Sequence, residues 1–155
     1  EETGLPARQL KLELTESVLI QDIPSTLDML GELRDLGVGL AIDDFGTGYS
    51  SLSYLQRLPV DTLKVDRSFI ARLGADATSG PVLRAIVEMG NALNMNVIAE
   101  GIENQWQWDY LADIGCRQGQ GHFFRPPMEA QDFAQLLAAH RPIHALRPRR
   151  LPRPA

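Results

Sequence analysis

Short apolar runs separated by amphipathic stretches constrain this chain more than any other feature of it. The runs are Leu10–Leu14, Gly39–Ile42, Thr62–Val65 and Asn96–Ala99, with a looser one at Gly121–Phe124. Each is short and mostly apolar, which suits a strand buried on both faces of a parallel sheet. Between them lie helical patterns. Asp22 and Pro24 open one as a cap and an early helical proline. Leu27, Leu30, Leu33 and Leu36 then recur at three-residue steps, and Gly37 follows as a C-terminal cap. A second helix starts near Ser79–Pro81 and carries Leu83, Ile86, Val87 and Leu93. A third covers Gln105–Ile114 and stops at Gly115, and a fourth covers Ala130–Ala139. Shorter turns of helix are predicted over Ser51–Leu58 and Arg67–Leu73. Strand–helix alternation of this kind predicts an α/β architecture with parallel strands. Right-handed crossovers then bring every strand's carboxyl end to one side of the sheet.

Polar groups stand repeatedly where the apolar runs stop. The first run leads into Glu13 and Glu16. The second ends at Asp43 and Asp44, the third contains Lys64 and leads to Asp66, and the fourth ends at Glu100, with Glu103 just beyond. Gln120 precedes the fifth. In an α/β barrel these points share one mouth, where catalytic groups collect. Carboxylates converging there would repel one another and take up protons unless cations neutralise them. Oxygen donors of this type favour hard ions such as magnesium, manganese or calcium, and no histidine cluster favours zinc. His122 stands near this mouth, whereas His140 and His144 belong to the carboxy-terminal region.

The stretch from Ala41 to Leu55, AIDDFGTGYSSLSYL, is the most informative. Adjacent acids can serve two ions if the backbone turns there, with Asp43 bridging and Asp44 on the second. Gly46 and Gly48 permit a tight turn and a close backbone approach, and Ser50 and Ser51 can cap the next short helix. The same stretch also reads as an Asp–Gly-rich turn that only caps a helix. Lys64, inside an apolar run, must reach water, a carboxylate or an anionic ligand. Taken alone it reads as an ion pair ordering the mouth. Glu100 reads as a metal ligand or base, or as an ordinary strand-end acid. Trp106 and Trp108 are expected on a helix surface or in packing, Cys116 in buried packing, and Met29, Met89 and Met95 in the core.

Composition limits the function classes. The net charge of −5 is the opposite of the balance expected for a protein that binds nucleic acid through a basic face. It is compatible with a phosphate substrate neutralised by metal ions rather than by arginines. No apolar run approaches the ~20 residues that span a bilayer. The single cysteine, Cys116, excludes an intramolecular disulfide. Residues 141–155, RPIHALRPRRLPRPA, read as a disordered Arg/Pro tail, with a basic nucleic-acid arm as the sharper alternative.

Five ordered segments then carry a resemblance: LELTES at 12–17, DDFGTGYSSL at 43–52, LKVDRSFI at 63–70, AEGIE at 99–103 and QGHFFRPP at 120–127. Their order and spacing resemble the successive motifs of EAL domains, over residues 5–137. EAL domains are modified (β/α)8 barrels that hydrolyse the bacterial messenger cyclic-di-GMP to linear pGpG with magnesium or manganese. The resemblance implies a partial TIM-type barrel over residues 1–140, corresponding to roughly the carboxy-terminal two-thirds of the domain. It implies Glu13, Asp43 and Asp44 as ligands of two ions, with Asp43 shared. It implies Lys64 at the attacking water or phosphate, Glu100 as general base or ligand, and Gln120 positioning the water. Glu16 corresponds to the anchor of the DDFG loop, a loop also tied to dimerisation, and Glu103 to a supporting acid. The reaction implied is in-line hydrolysis of one phosphodiester, in a cytoplasmic, homodimeric domain whose parent protein upstream segments can anchor to a membrane. The partner implied is cyclic-di-GMP, and no DNA. His122 and Arg125 depart from the usual family residues without touching the implied ligands.

The family's Glu-Ala-Leu motif, and an asparagine of the first ion's shell, lie upstream of these segments and do not occur in residues 1–155. Roughly three strand–helix units of a complete barrel are thus unrepresented. The expectation is an open sheet edge, and a chain that is unstable alone, self-associates, or is completed by another copy. A catalytically incomplete module that serves as a cyclic-di-GMP receptor or interaction domain is the competing function.

Overall fold

The computed structural model describes residues 4–16, 23–48 and 52–139. The expected helical cap at Asp22, the serines at 50 and 51, and the tail at 141–155 lie outside these. Five strands form one parallel sheet in sequential order: β1 (Lys11–Thr15), β2 (Gly39–Phe45), β3 (Thr62–Val65), β4 (Asn96–Ala99) and β5 (Gln118–Gly119). The connecting helices are α1 (Ile23–Asp35), α2 (Leu52–Leu55), α3 (Arg67–Ala71), α4 (Ser79–Ala92) and α5 (Gln105–Asp113), with α6 (Ala130–Ala138) after the last strand. Parallel strands in sequential order place successive right-handed crossovers on the same face. The result is a partial (β/α)8 barrel of the TIM type.

The alternation of side chains along each strand divides the two faces. Leu40, Ile42, Leu63, Val65, Val97 and Ala99 point to the helix side and are buried. They pack with Leu30 of α1, Leu83, Ile86 and Val87 of α4, and Leu111 of α5. In-register neighbours point the same way, so Glu13, Ala41 and Thr62 lie side by side on the opposite face. Lys64 lies beside Ile98 on that face. Burial on both faces holds throughout β3 but not in β1, where Lys11, Glu13 and Thr15 are exposed and the leucines half-buried. A strand with one ladder partner shields only one of its edges.

Three helices end in the same way. Gly37 donates to the Arg34 carbonyl at 2.8 Å and Val38 to Leu33 at 3.1 Å; Gly115 donates to Ala112 at 3.1 Å and Cys116 to Leu111 at 2.9 Å. This paired arrangement needs a left-handed residue, which glycine supplies. At the end of α4, Asn94 takes that conformation (φ 57°), and the bonds run from Asn94 to Asn91 and from Met95 to Gly90. Each ending turns the chain directly toward the next strand.

The fifth strand lies earlier than the apolar pattern predicts. Gln118–Gly119 pairs with Ile98–Ala99, and residues 121–124 form turns. The Gly121 backbone is pressed against the Ile102 backbone, and Phe124 and Arg125 both donate to the Gly121 carbonyl. Phe123 and Phe124 pack edge-on instead of extending a ladder. Met29 and Leu36 are exposed, contrary to the core and stripe positions expected for them, whereas Met95 and Cys116 are buried. The three-residue step drifts around a helix, so a stripe of four leucines cannot all face one side.

At the amino ends of the strands a separate polar network ties β1, β2 and β3 together. Asp61 accepts from the Leu40 amide at 3.0 Å and pairs with Lys11 at 3.0 Å. Partial burial pushes its carboxyl up, but the hydrogen bonds from Thr62, Leu40 and Lys11 outweigh it and leave the pKa lowered. No helix among the described residues is long and apolar enough to cross a membrane.

A Cβ at Gly90 would run into the Val97 methyl, which a β-branched core residue cannot easily move. Gly90→Ala should therefore destabilise by about 1–3 kcal/mol in urea unfolding, despite the ~0.5–1 kcal/mol that alanine normally gains in a helix; a stabilised variant would contradict the packing. Asp76 caps the start of α4, accepting from Ser79 and Thr78, and these bonds lower its pKa to about 2. A lowered carboxylate pKa stabilises above its unfolded value, near 3.8, and the benefit fades as pH falls toward about 2. Asp76→Ala should lower Tm at pH 7, and its Tm should converge on the wild-type value as the pH is lowered through that window.

Candidate active site at the carboxyl ends of the strands

The two adjacent aspartates reach the same point because β2 is not regular there. The ladder with β3 shifts register between Ile42 and Phe45, and Asp44 takes a left-handed backbone conformation (φ 53°). In an undisturbed strand, neighbouring side chains point to opposite faces. The bulge removes that alternation, and oxygens of Asp43, Asp44 and Glu100 come within 4.8 Å of one another.

Lys64 stands among these acids. Its ammonium nitrogen lies 2.7 Å from Glu13, 2.9 Å from Asp43 and 2.8 Å from Glu100, and its side chain is only 8% exposed. One lysine on β3 thus joins acids of β1, β2 and the end of β4. Burial alone would lower its pKa, but the bonds to Asp43, Glu100 and Glu13 more than reverse this and hold it above its ordinary value. Lys64 is thus ion-paired, and its partners are acids singled out as candidate ligands. Glu13 joins the cluster through Lys64. Gln120, just past β5, donates to Glu100 at 2.8 Å, which fixes one carboxylate oxygen of that residue. Glu100 and Gln120 are themselves held by backbone bonds to Val65 and Ala99.

Glu16 is 3% exposed and accepts from the Gly46 and Gly48 amides, each at 3.1 Å. The two glycines are needed for close approach, but to protein groups. Gly48 faces the Glu16 carboxylate, and Gly46 (φ 98°) lies under the Phe69 ring, where any Cβ would collide. Asp66 is the N-cap of α3, accepting from the Ser68 amide at 3.0 Å, so its role is local. Glu103 lies on the wall of a groove of about 1390 Å³ beside the cluster, with Arg67, Gln120, His122 and Arg125. Its backbone amide is held by Gln107.

Sequence reading missed two residues here. Phe69 supports the DDFG turn from α3, and Gln107 is 6% exposed, accepts from the Glu103 and Asn104 amides and donates to the Ile70 carbonyl. The Asn104-to-Gln107 spacing of a capping box could have drawn attention to the second. Phe69, inside a short apolar run, had no comparable signal.

The donor set suits hard divalent ions: carboxylate oxygens, three of them convergent, with no sulfur or imidazole among them. The comparisons agree with that chemistry. A family model for the EAL domain matches residues 1–127. The chain belongs to the EAL domain family. Cyclic di-GMP phosphodiesterase NbdA of Pseudomonas aeruginosa is 45% identical over 91% of this chain, which spans 18% of that protein. The structure of Pseudomonas aeruginosa MucR phosphodiesterase in complex with c-di-GMP superposes with a TM-score of 0.83 at 43% identity, over 85% of this chain and 53% of that one. Klebsiella pneumoniae BlrP1, solved with manganese and cyclic-di-GMP, gives a TM-score of 0.72 at 36% identity, over 77% of this chain and 31% of that one.

Removing the cation from the acid cluster tests the electrostatic account. Lys64→Met should lower the stability of metal-free protein by about 1–3 kcal/mol, because it leaves partly buried carboxylates without their partner. Manganese should raise Tm more in the variant than in wild type. Equal Tm values in EDTA would contradict a stabilising role for Lys64.

Proposed function

We propose that this chain is the larger part of a cyclic-di-GMP phosphodiesterase domain, which opens one phosphodiester of the cyclic dinucleotide to give linear pGpG. The observation that carries this reading is the convergence of Asp43, Asp44 and Glu100 at the carboxyl ends of the strands, with Lys64 pairing to Asp43, Glu100 and Glu13. Four carboxylates and one ammonium leave three negative charges uncompensated when all are ionised. Two divalent ions, magnesium or manganese, with one phosphodiester anion bring that set to neutrality, which supports a two-ion centre. Glu13, Asp43, Asp44 and Glu100 would hold the ions. Such ions supply charge neutralisation at the phosphate and a water acidified enough to react near neutral pH.

The chain's own residues then have distinct tasks. Lys64, fixed by three carboxylates, presents a permanent positive charge beside the reacting phosphate. Gln120 holds Glu100 by one oxygen and orients it toward the attacking water. Water adds to phosphorus in line with the departing sugar oxygen, and that P–O bond breaks. Glu100 takes the proton released by the water, and the departing alkoxide gains one from solvent. Glu16 and the Gly46–Gly48 turn keep Asp43 and Asp44 in place. The reading is of a cytoplasmic domain that works as a homodimer through the DDFG loop region, in keeping with the resemblance.

Chromatographic assay of the 155-residue chain with cyclic-di-GMP and manganese tests this. Linear product is expected, with turnover reduced on the order of 10²–10⁴-fold in Glu100→Gln and similarly impaired in Asp44→Ala. Saturable binding of cyclic-di-GMP without turnover under any metal condition would instead assign the chain to the receptor class.

A further inference from the structure

The loop between β4 and α5 carries Glu100, and its backbone is tied down at successive positions. The Ile102 amide donates to the Gln120 carbonyl at 3.1 Å, and the Phe123 amide donates to the Ile102 carbonyl at 3.0 Å. The next two amides, of Glu103 and Asn104, both donate to the side-chain oxygen of Gln107, at 2.8 and 3.3 Å. The side-chain nitrogen of Gln107 donates to the Ile70 carbonyl at 3.1 Å, in α3. Gln107 is buried, and its bond to Ile70 lies in the interior, where an unmade bond is costly.

These contacts add a buried link between α3 and the β4–α5 loop, which also meet where Gly101 packs against Arg67. The α3 helix follows β3, the strand that carries Lys64. The loop held by Gln107 follows β4 and carries Glu100. Lys64 and Glu100 meet at 2.8 Å, and Gln120, which holds both Glu100 and Ile102, lies on the same short circuit. We propose that Gln107 is a positioning residue of the metal centre, a buried clamp between α3 and the β4–α5 loop that sets where Glu100 stands relative to Lys64. The proposal rests on the reading of the acid cluster as a metal site. Gln107 touches neither substrate nor ion and acts through Glu100.

Manganese binding to the 155-residue chain, measured by titration calorimetry or electron paramagnetic resonance, tests this without reference to turnover. Three variants are compared with wild type. Gln107→Met keeps the volume and removes both ends of the clamp. Gln107→Glu keeps the acceptor for the Glu103 and Asn104 amides but cannot donate to Ile70. Leu30→Ala, in α1, lowers stability from a buried position outside the acid cluster. Gln107→Met should weaken manganese binding about 10-fold or more, the scale of lost support around a metal ligand. Gln107→Glu should fall between it and wild type, and Leu30→Ala should bind as wild type does whatever its loss of Tm. Gln107→Met binding as tightly as Leu30→Ala would overturn the proposal. If Gln107→Met does not fold, Gln107→Glu decides, and affinity equal to that of Leu30→Ala overturns it. A wild-type chain that binds no manganese would instead refute the metal-site reading itself.

Discussion

Electrostatic balance at Lys64 is the constraint on which the site depends. A lysine with 8% of its side chain exposed needs acidic partners, and acids packed this closely need a cation. Each requirement meets the other. The three partners come from β1, β2 and the end of β4, so the ion pairs also fix how those strands end relative to one another. The sheet supplies the positions and the charges hold the ends together. At the opposite end, Lys11 and Asp61 form a smaller network that joins strands but lies away from any convergence of acids.

Backbone irregularity does as much as charge. A regular β2 would direct Asp43 and Asp44 to opposite faces, and only one could join Glu100. The bulge and the left-handed Asp44 bring both to one point, and this conformation is held from outside by Glu16 and Phe69. A non-glycine residue in that region is unfavourable by itself and persists only where its surroundings determine it. The carboxylate of Glu16 and the ring of Phe69 are such surroundings, and neither needs to approach a phosphate to matter.

Much of this was legible in the sequence because the signals are local. Periodicity placed β2, β3 and β4, and Gly37 and Gly115 marked two helix ends. The strand-end acids and Lys64 stood out because polar groups rarely interrupt apolar runs without cause. What escaped depends on long-range packing. Asn94 gave no glycine to read, yet takes the glycine conformation. The aromatic pair at 123–124 imitated a strand, while the true one, Gln118–Gly119, is polar and recognisable only from its partner. The Gln107 contact to Ile70 spans 37 residues, and spacing alone cannot reveal which carbonyl a buried amide will find.

The sequential strand order has a consequence for how the chain comes to be folded. Each strand pairs with the one made just before it, through a connection that closes locally on its own helix. Synthesis proceeds from the amino terminus, far more slowly than a helix forms. Every new strand therefore leaves the ribosome to find its template already exposed, with no need to wait for a distant segment. The acid cluster is assembled in the same direction: Glu13 first, then the aspartates, then the lysine that relieves their repulsion, and Glu100 last. At no stage does the nascent sheet carry both the finished set of acids and an absent counter-charge.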